Sequence, residues 1–323
     1  MTGQRLRPMG MGDIFDEGFD LYKKNLSFFL LISAIILVPG LIIQQAIRST
    51  FGSGGVITPP PSDPSQYLDW LWTYLSAHSP LISSEAVYIL LTIGALIVAT
   101  SCRYIGQQIS IGGVFMLLLR RTLKLFVVTT IVSIIISASF GFCFLPGFIP
   151  LVYFLFAAHC VMIENPRWFA GISRSSSLIN GNWWRALGFL LMVGLLYSIL
   201  GFAITEVVTY VSAFLINAMP GAGNSFGNIT NVGGVSWNDS GIQAIGASIA
   251  MLLVTPFIVS VMTVFYYDLR VRNEAYDVLA LARELNYKPL SELAPYLPSA
   301  IPPGSIMYTQ SRPPKPPARK GKP

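Results

Sequence analysis

The sequence predicts an all-α, polytopic membrane protein with six transmembrane helices in three hairpins and amphipathic helices at the cytoplasmic interface. The 323 residues are 53% hydrophobic and 11% charged, with a mean hydropathy of +0.60, whereas soluble domains carry about 25% charged residues. Six apolar runs are long enough to cross a bilayer, which takes about 20 residues. Most Lys and Arg residues fall in alternate gaps between these runs.

The predicted spans follow the apolar runs in chain order. They are Leu26–Ile47, Val87–Ile109, Leu125–Phe144, Phe148–Ile163, Ala186 to about Thr205, and Ile242–Tyr267. The cations precede the first, third and fifth spans and follow the sixth, whereas the opposite gaps hold Arg48 and several acids. By the positive-inside rule, both termini are predicted to be cytoplasmic, with the protein in the inner or plasma membrane.

Three parts of the chain differ in composition. Residues 1–24 are predicted to form a cytoplasmic amphipathic helix, residues 25–286 the six-span membrane domain, and residues 287–323 a disordered, Pro-rich basic tail. The first apolar run follows an acidic segment and lacks a small-residue cleavage site after it. It is therefore expected to remain as a membrane anchor.

Amphipathic segments precede three of the spans. Asp13 is expected to cap a helix that ends near Tyr22. Asn165 and Pro166 fit the cap and first position of a second helix, which would stop at Gly181. Residues 114–123 form a weaker third segment. Each segment would lie at the interface before a transmembrane hairpin.

The first amphipathic helix carries acidic residues, which an anionic lipid surface would repel. We therefore expect Asp16 and Glu17 to pair with a basic junction. The candidates are Arg120 with Arg121, or Arg270 with Arg272. On the opposite side, Asp63 and Pro64 start a further helix, which favours an aromatic anchor over a lid. The Gly- and Asn-rich segment at 217–241 is expected to be mobile.

Few ionisable residues fall inside the predicted spans, where a charge is costly unless it is paired or reaches the interface. Arg103 and Glu206 form the candidate intramembrane polar site. Arg103 lies near the cytoplasmic end of its span. Glu206 is expected near the outer surface if its helix is straight, and deeper, as a proton or cation site, if the helix is long and tilted and continues to Ile216. His159 is expected to be a satisfied bundle histidine, and the three cysteines to be buried free thiols.

No spacing of residues typical of a catalytic, metal or nucleotide site is found in the sequence. We expect no enzyme activity, no metal and no cofactor. Nucleic-acid binding is not expected either, because the cations alternate with apolar spans instead of lining one face. Pro256 lies halfway along the sixth span, where it indicates either a mild kink or, as in transporters, a broken helix.

Three segments resemble the glycerophosphoryl diester phosphodiesterase membrane-domain-like family. They are RPMGMGDIFDEGFDLYKKN at 7–25, LINGNWWR at 178–185 and YYDLRVRNE at 266–274. The resemblance covers about residues 5–285 and implies a multi-pass bacterial membrane protein. In enzymatic members of that family a separate soluble barrel carries the phosphodiesterase site, and the Pro-rich residues after Asp268 do not resemble that barrel.

The resemblance and the charge pattern together single out an interfacial junction. Its predicted members are Asp16, Glu17, Asn182, Trp183, Trp184, Arg185, Tyr267, Asp268 and Arg270. Aromatic and basic side chains of this kind settle at the headgroup level. Asp268 is also expected to pair with Arg185 or Arg272.

The sequence does not define a biochemical activity. The predicted function is that of a non-enzymatic scaffold or accessory subunit that binds membrane lipid or a membrane or cytoplasmic protein. Two alternatives remain open, a transporter or channel for a small solute or ion and a membrane enzyme of lipid metabolism. A broken helix at Pro256 and a polar cavity reaching Glu206 or Arg103 would favour transport.

Overall fold

A computed structural model describes residues 8–51, 63–142, 144–218 and 239–274 of the chain. In these ranges the protein is all-helical, without strands, and six helices are long and apolar enough to cross a membrane. The predicted fold class is confirmed. The Pro-rich tail and most of the 217–241 segment lie outside the described residues.

The helices are numbered in chain order. They are α1 Met11–Lys24, α2 Leu26–Phe51, α3 Tyr67–Tyr104, α4 Ile111–Phe142, α5 Phe144–Tyr153, α6 Ala157–His159, α7 Ala170–Ile179, α8 Trp183–Ala218 and α9 Asp239–Glu274. A 3₁₀ turn, Pro64–Gln66, precedes α3, and a π-helical turn, Cys160–Glu164, follows α6. The spanning segments are α2, α3, α4, α5 with α6 and the π turn, α8 and α9.

Two predicted interfacial segments are continuous with spans. The outer helix begins near Asp63, as expected, where the Asp63 carboxylate accepts bonds from the Ser65 amide at 2.9 Å and hydroxyl at 2.8 Å. It then runs into the second span as one 38-residue helix. The 114–123 segment is likewise the first part of the 32-residue α4. Both fuse because extending a formed helix costs far less than nucleating a new one.

Three predicted helix ends need correction. The second span ends at Tyr104 and not at Ile109, and Gly106 at φ +79° allows the turn that follows. Asp13 does not cap α1 but accepts a 3.1 Å bond from the Gly10 amide. Asn165 lies at φ 48° and ends the π turn, so that α7 begins only at Ala170. Gly181, at φ +84°, follows the end of α7 as predicted.

The fourth span is interrupted between α5 and α6, and a hydroxyl from α7 repairs the interruption. The Ser175 hydroxyl donates to the Tyr153 carbonyl at 2.8 Å and accepts from the Phe156 amide at 3.1 Å. Ser175 is fully buried. A broken helix in an apolar environment needs such partners, because an unpaired backbone group there costs several kcal/mol.

The last helix, α9, lies at the centre of the bundle. Its residues from Val264 to Tyr267 are completely buried, and it packs against α1, α2, α3, α7 and α8. Pro256 does not break it, because α9 is continuous through that residue and the Ser260 hydroxyl donates to the Pro256 carbonyl at 2.8 Å. The milder account of Pro256 is therefore correct.

The amphipathic α1 packs lengthwise and antiparallel against α9. Met9 lies beside Asp268, Gly18 beside Val261, and the Tyr22 hydroxyl donates to the Leu253 carbonyl at 3.0 Å. A Cβ atom on Gly18 would lie 2.7 Å from a Val261 methyl and 2.8 Å from its Cα. The close contact between the two backbones thus requires glycine at this position.

We predict that Gly18→Ala lowers the thermal unfolding midpoint of the purified protein in detergent. The added methyl would collide with the Val261 backbone, which cannot move aside as a flexible side chain would. Overpacking of this kind costs about 1–3 kcal/mol. Gly12→Ala is the matched control, since nothing lies within 4 Å of its Cβ position. This variant should keep or raise the midpoint, because Ala favours helix by about 1 kcal/mol over Gly. Equal midpoints for both variants would contradict the close α1–α9 contact.

Candidate functional site

The candidate site is the C-terminal end of α9, residues 266–274, where polar side chains of one helix contact several other elements. We call this segment and its partners the polar hub. It contains Tyr266, Tyr267, Asp268, Arg270, Arg272, Asn273 and Glu274 on α9, Glu164 of the π turn, Arg174 of α7, Asn182 and Arg185 at the start of α8, and Met9. Asp268 is 1% exposed and Glu274 6% exposed, so the hub is largely withdrawn from solvent.

Two acids and two arginines form a buried, electrically neutral quartet inside the hub. Arg174 binds the Glu164 carboxylate with two nitrogens, at 2.8 and 3.1 Å, and also contacts Glu274. Arg270 lies 3.2 Å from Glu274 and 3.6 Å from Glu164. Arg174 belongs to α7, outside the spans. Its desolvation lowers its pKa, but the hydrogen bond and charge of Glu164 and the charge of Glu274 raise the pKa above the ordinary value.

Tyr266 connects the quartet to a buried histidine. Its hydroxyl donates to Glu164 at 2.6 Å, and its ring stacks on His159 with 5.7 Å between centroids. His159 is 4% exposed, and neither ring nitrogen has a hydrogen-bond partner in the structure. The histidine is therefore buried in the bundle as predicted, but the expectation that it is satisfied is wrong. Its ring is held by aromatic contacts to Phe156 and Tyr266.

A second group in the hub joins the N-terminal segment to α9 and α8. The Asp268 carboxylate accepts bonds from the Met9 amide at 2.8 Å, from Arg185 at 2.8 Å and from Arg272 at 2.9 Å. Both arginines also donate to the Met9 carbonyl, at 2.8 and 2.7 Å. Side chains thus satisfy both backbone groups of Met9. The predicted pairing of Asp268 is confirmed with both of its candidate partners.

The remaining predicted junction residues of α8 and α9 also contact the hub. The Asn182 amide donates to Asn273 at 3.1 Å, and Asn273 donates to the Leu178 carbonyl at 2.6 Å. The Tyr267 hydroxyl is 2.7 Å from that of Ser101 on α3. Trp183 packs edge-on against Trp184, which is 80% exposed. An exposed indole at a helix start fits an interfacial anchor.

The acidic residues of α1 do not have the expected partners. Among the described residues, no ion pair joins Asp16 or Glu17 to the two basic junctions. Arg270 and Arg272 pair instead with acids already buried beside them. Asp16 is exposed, whereas Glu17 is partly buried and its Oε1 has no hydrogen-bond partner among the described residues. Burial raises the pKa of Glu17, Lys24 lowers it, and Asp20 raises it further. The hypothesis of a bridge from α1 to a basic junction is therefore corrected.

Arg103 and Glu206, proposed as one polar site, lie apart. Arg103 is at the end of α3, with its guanidinium 4.5 Å from the ring centre of Phe28. Glu206 is half-buried on α8, which continues to Ala218. It follows Trp183 by about 35 Å of helix, more than the hydrocarbon thickness of about 30 Å. Glu206 thus lies near the far end of the span, and the two residues do not face one another.

Glu164, Glu274 and Ser175 also take part in these contacts, although they are not among the site residues predicted from the sequence. Glu164 is an acid at the end of an apolar run, on the side of the protein where the cations lie. That position indicates a paired carboxylate and could have identified it from the sequence. Cys160 is a buried free thiol as predicted, Cys102 is partly buried, and Cys143 lies outside the described residues. Within the described residues, no group of three or more His, Cys, Asp or Glu side chains could hold a metal ion.

Comparison with known proteins identifies one family. Residues 73–269 match the family described as Domain of unknown function (DUF7847). No curated protein and no solved structure matches the chain. The match covers α3 to α8 and most of α9, including Asp268, but ends before Arg270. It carries no link to the glycerophosphoryl diester phosphodiesterase membrane-domain-like family, so that resemblance stays a prediction.

We predict that Asp268→Asn lowers the free energy of unfolding by about 3–5 kcal/mol, because it leaves two arginines without their buried counter-charge. The thermal midpoint in detergent measures the loss. The same substitution should make the N-terminal segment accessible to limited proteolysis. Asp20→Asn is the control, since Asp20 pairs only with the exposed Lys24 at 3.4 Å and exposed pairs contribute about 0–1 kcal/mol. If the N-terminal segment of the variant is as resistant to proteolysis as that of the unaltered protein, Asp268 does not anchor Met9.

The neutral quartet predicts a non-additive pair of substitutions. Glu164→Gln alone should destabilise by about 3–5 kcal/mol, since it leaves excess positive charge in a buried cluster. Adding Arg174→Met restores neutrality and leaves the Arg270–Glu274 pair, so the double variant should be more stable than Glu164→Gln. A double-mutant cycle of thermal midpoints tests this. Additive losses would show that the two residues do not act as one electrostatic unit.

Proposed function

Since this chain belongs to the DUF7847 family, whose function is undescribed, we propose a function from the geometry of the chain itself. The protein acts as an integral membrane scaffold or accessory subunit, without enzymatic activity, that binds membrane lipid or a partner protein. We further propose that it resides in the inner or plasma membrane of a bacterium with both termini cytoplasmic. The family resemblance in the three junction segments is part of the same proposal.

One observation carries the proposal: the ionisable side chains of the polar hub pair with one another. Glu164, Glu274, Arg174 and Arg270 pair with one another, and Asp268 accepts bonds from two arginines and a backbone amide. A group that transfers protons or binds a solute needs free donors or acceptors facing a cavity. Buried groups engaged in this way instead fix how helices join, which suits a scaffold.

The membrane-facing helices support the same function. In α4 and α8 only 17% and 11% of the spanning residues are buried within the protein. Large apolar side chains such as Leu195, Phe202 and Phe214 on α8 are more than half exposed. Such surfaces are covered by lipid tails or by helices of another protein, and both occupants fit a scaffold that binds lipid or a partner.

A transporter is the alternative that one observation favours. The fourth span is interrupted between Tyr153 and Ala157, next to His159 with its unpartnered nitrogens. Discontinuous helices at buried polar groups occur at substrate sites of transporters. The interruption here is repaired by Ser175, and Pro256 leaves α9 continuous. Because these contacts hold the interrupted helix in one conformation, they favour a structural role for the interruption over a role in transport.

The two functions make different predictions for the purified full chain. We expect mild-detergent purification with crosslinking and mass identification to yield a defined lipid or a stoichiometric protein partner. We expect vesicles containing the protein to take up ions and small solutes no faster than empty vesicles. Saturable uptake that is abolished by His159→Leu would overturn the scaffold function in favour of transport. Leu195→Ala, at an exposed position of α8 away from His159, serves as the matched control in the uptake measurement.

A further inference from the structure

One group of cations differs from those of the polar hub. In the described part of the chain, Arg174, Arg185, Arg270 and Arg272 each pair with an acid. Arg120, Arg121 and Lys124 on α4 and Arg167 before α7 make no ion pair there. They are among the cations predicted to lie on the cytoplasmic side of the membrane. Four positive charges close together without a counter-charge make a binding surface for an anion.

Hydrogen bonds bring these cations together from two elements. Lys124 donates to the Asn165 side chain at 2.9 Å and lies 3.5 Å from the Pro166 carbonyl. Arg121 donates to the carbonyl oxygens of Met162 and Ile163. The 162–167 segment is thereby fixed along one turn of α4. Arg121 is a positioning residue, because its guanidinium is occupied by carbonyl groups.

The two outer cations of the group are accessible. Arg120 is exposed and lies one helical turn before Lys124, while Arg167 is exposed and follows Pro166 directly. Residues four apart on a helix have Cβ atoms about 5–6 Å apart. Arg120 and Arg167 therefore lie on either side of Lys124 along this edge of α4. We call these three residues the cationic edge.

Apolar side chains border the cationic edge and distinguish a lipid from a soluble anion. Leu119 and Leu123 of α4 are 74% and 65% exposed, and Trp168 and Phe169 beside Arg167 are about half exposed. From Lys124 to the end of α4 at Phe142 lie 18 residues, about 27 Å of helix. This length nearly equals the hydrocarbon thickness of about 30 Å, which places the cationic edge at the headgroup level.

We infer that the cationic edge binds the headgroup phosphate of an anionic phospholipid, whose acyl chains lie along the exposed apolar face of α4. Arginine suits this task because its planar guanidinium binds phosphate oxygens in pairs. The inference rests on the lipid binding in the proposed function and names the lipid class and its site.

Native mass spectrometry of the full chain in detergent tests the site. The protein is offered equal amounts of phosphatidylglycerol and phosphatidylcholine, and the ratio of bound lipids is measured. We expect the unaltered protein to favour phosphatidylglycerol about tenfold, because basic side chains at the membrane surface attract anionic headgroups. Arg120→Gln with Arg167→Gln should bring the ratio close to one. Lys23→Gln with Lys24→Gln removes the same charge at the end of α1 and should leave the ratio unchanged.

Two further measurements keep the result interpretable. Salt at about 0.5 M should reduce the preference of the unaltered protein, which tests the site even if the double arginine variant does not fold. Excess inorganic phosphate should not displace phosphatidylglycerol, and displacement would assign the edge to a soluble anion. Equal binding of both lipids by the unaltered protein would overturn the site but not the scaffold. Saturable solute uptake, by contrast, would overturn the scaffold and leave the lipid preference standing.

Discussion

The architecture depends on one buried charge, the carboxylate of Asp268. A carboxylate that is 1% exposed must be compensated, because burying an unpaired charge costs several kcal/mol. The compensation comes from Arg185 at the start of α8, from Arg272 one turn later on α9, and from the backbone amide of Met9. Meeting this requirement joins the start of α8 to residues 268–272 of α9 and anchors the segment before α1 against both. Next to these contacts the rings of Phe189 on α8 and Phe265 on α9 stack with 3.9 Å between their centroids.

The quartet of Glu164, Arg174, Arg270 and Glu274 serves the second half of the bundle in the same way. Its members come from the fourth span, from α7 and from α9, so that charge balance is reached only when all three elements are in place. Buried ion pairs contribute little net stability, because the cost of desolvation offsets much of the attraction. Their value here is in specifying one arrangement, since a shifted helix would leave a charge unmatched in an apolar environment.

The sequence was informative where one physical effect dominates. Apolar length alone locates the six spans, and the acid among basic residues at the two junctions predicts that Asp268 pairs with Arg185 or Arg272. The sequence was uninformative where contacts between distant residues override the local preference of a residue type. Asn165 has the residue type of a helix cap, yet it adopts a left-handed conformation because the π turn ends there and Lys124 holds its side chain. The break in the fourth span needs Ser175, 19 residues beyond Phe156, and no local pattern indicates that contact.

The bond between Met9 and Asp268 joins residues 259 positions apart in the chain. During synthesis the ribosome releases Met9 long before Asp268 exists, so the docking surface for α1 is incomplete until the last span has been inserted. The contacts that hold α1 along α9 can therefore form only after α9 has been synthesised, which makes this docking a late step of folding.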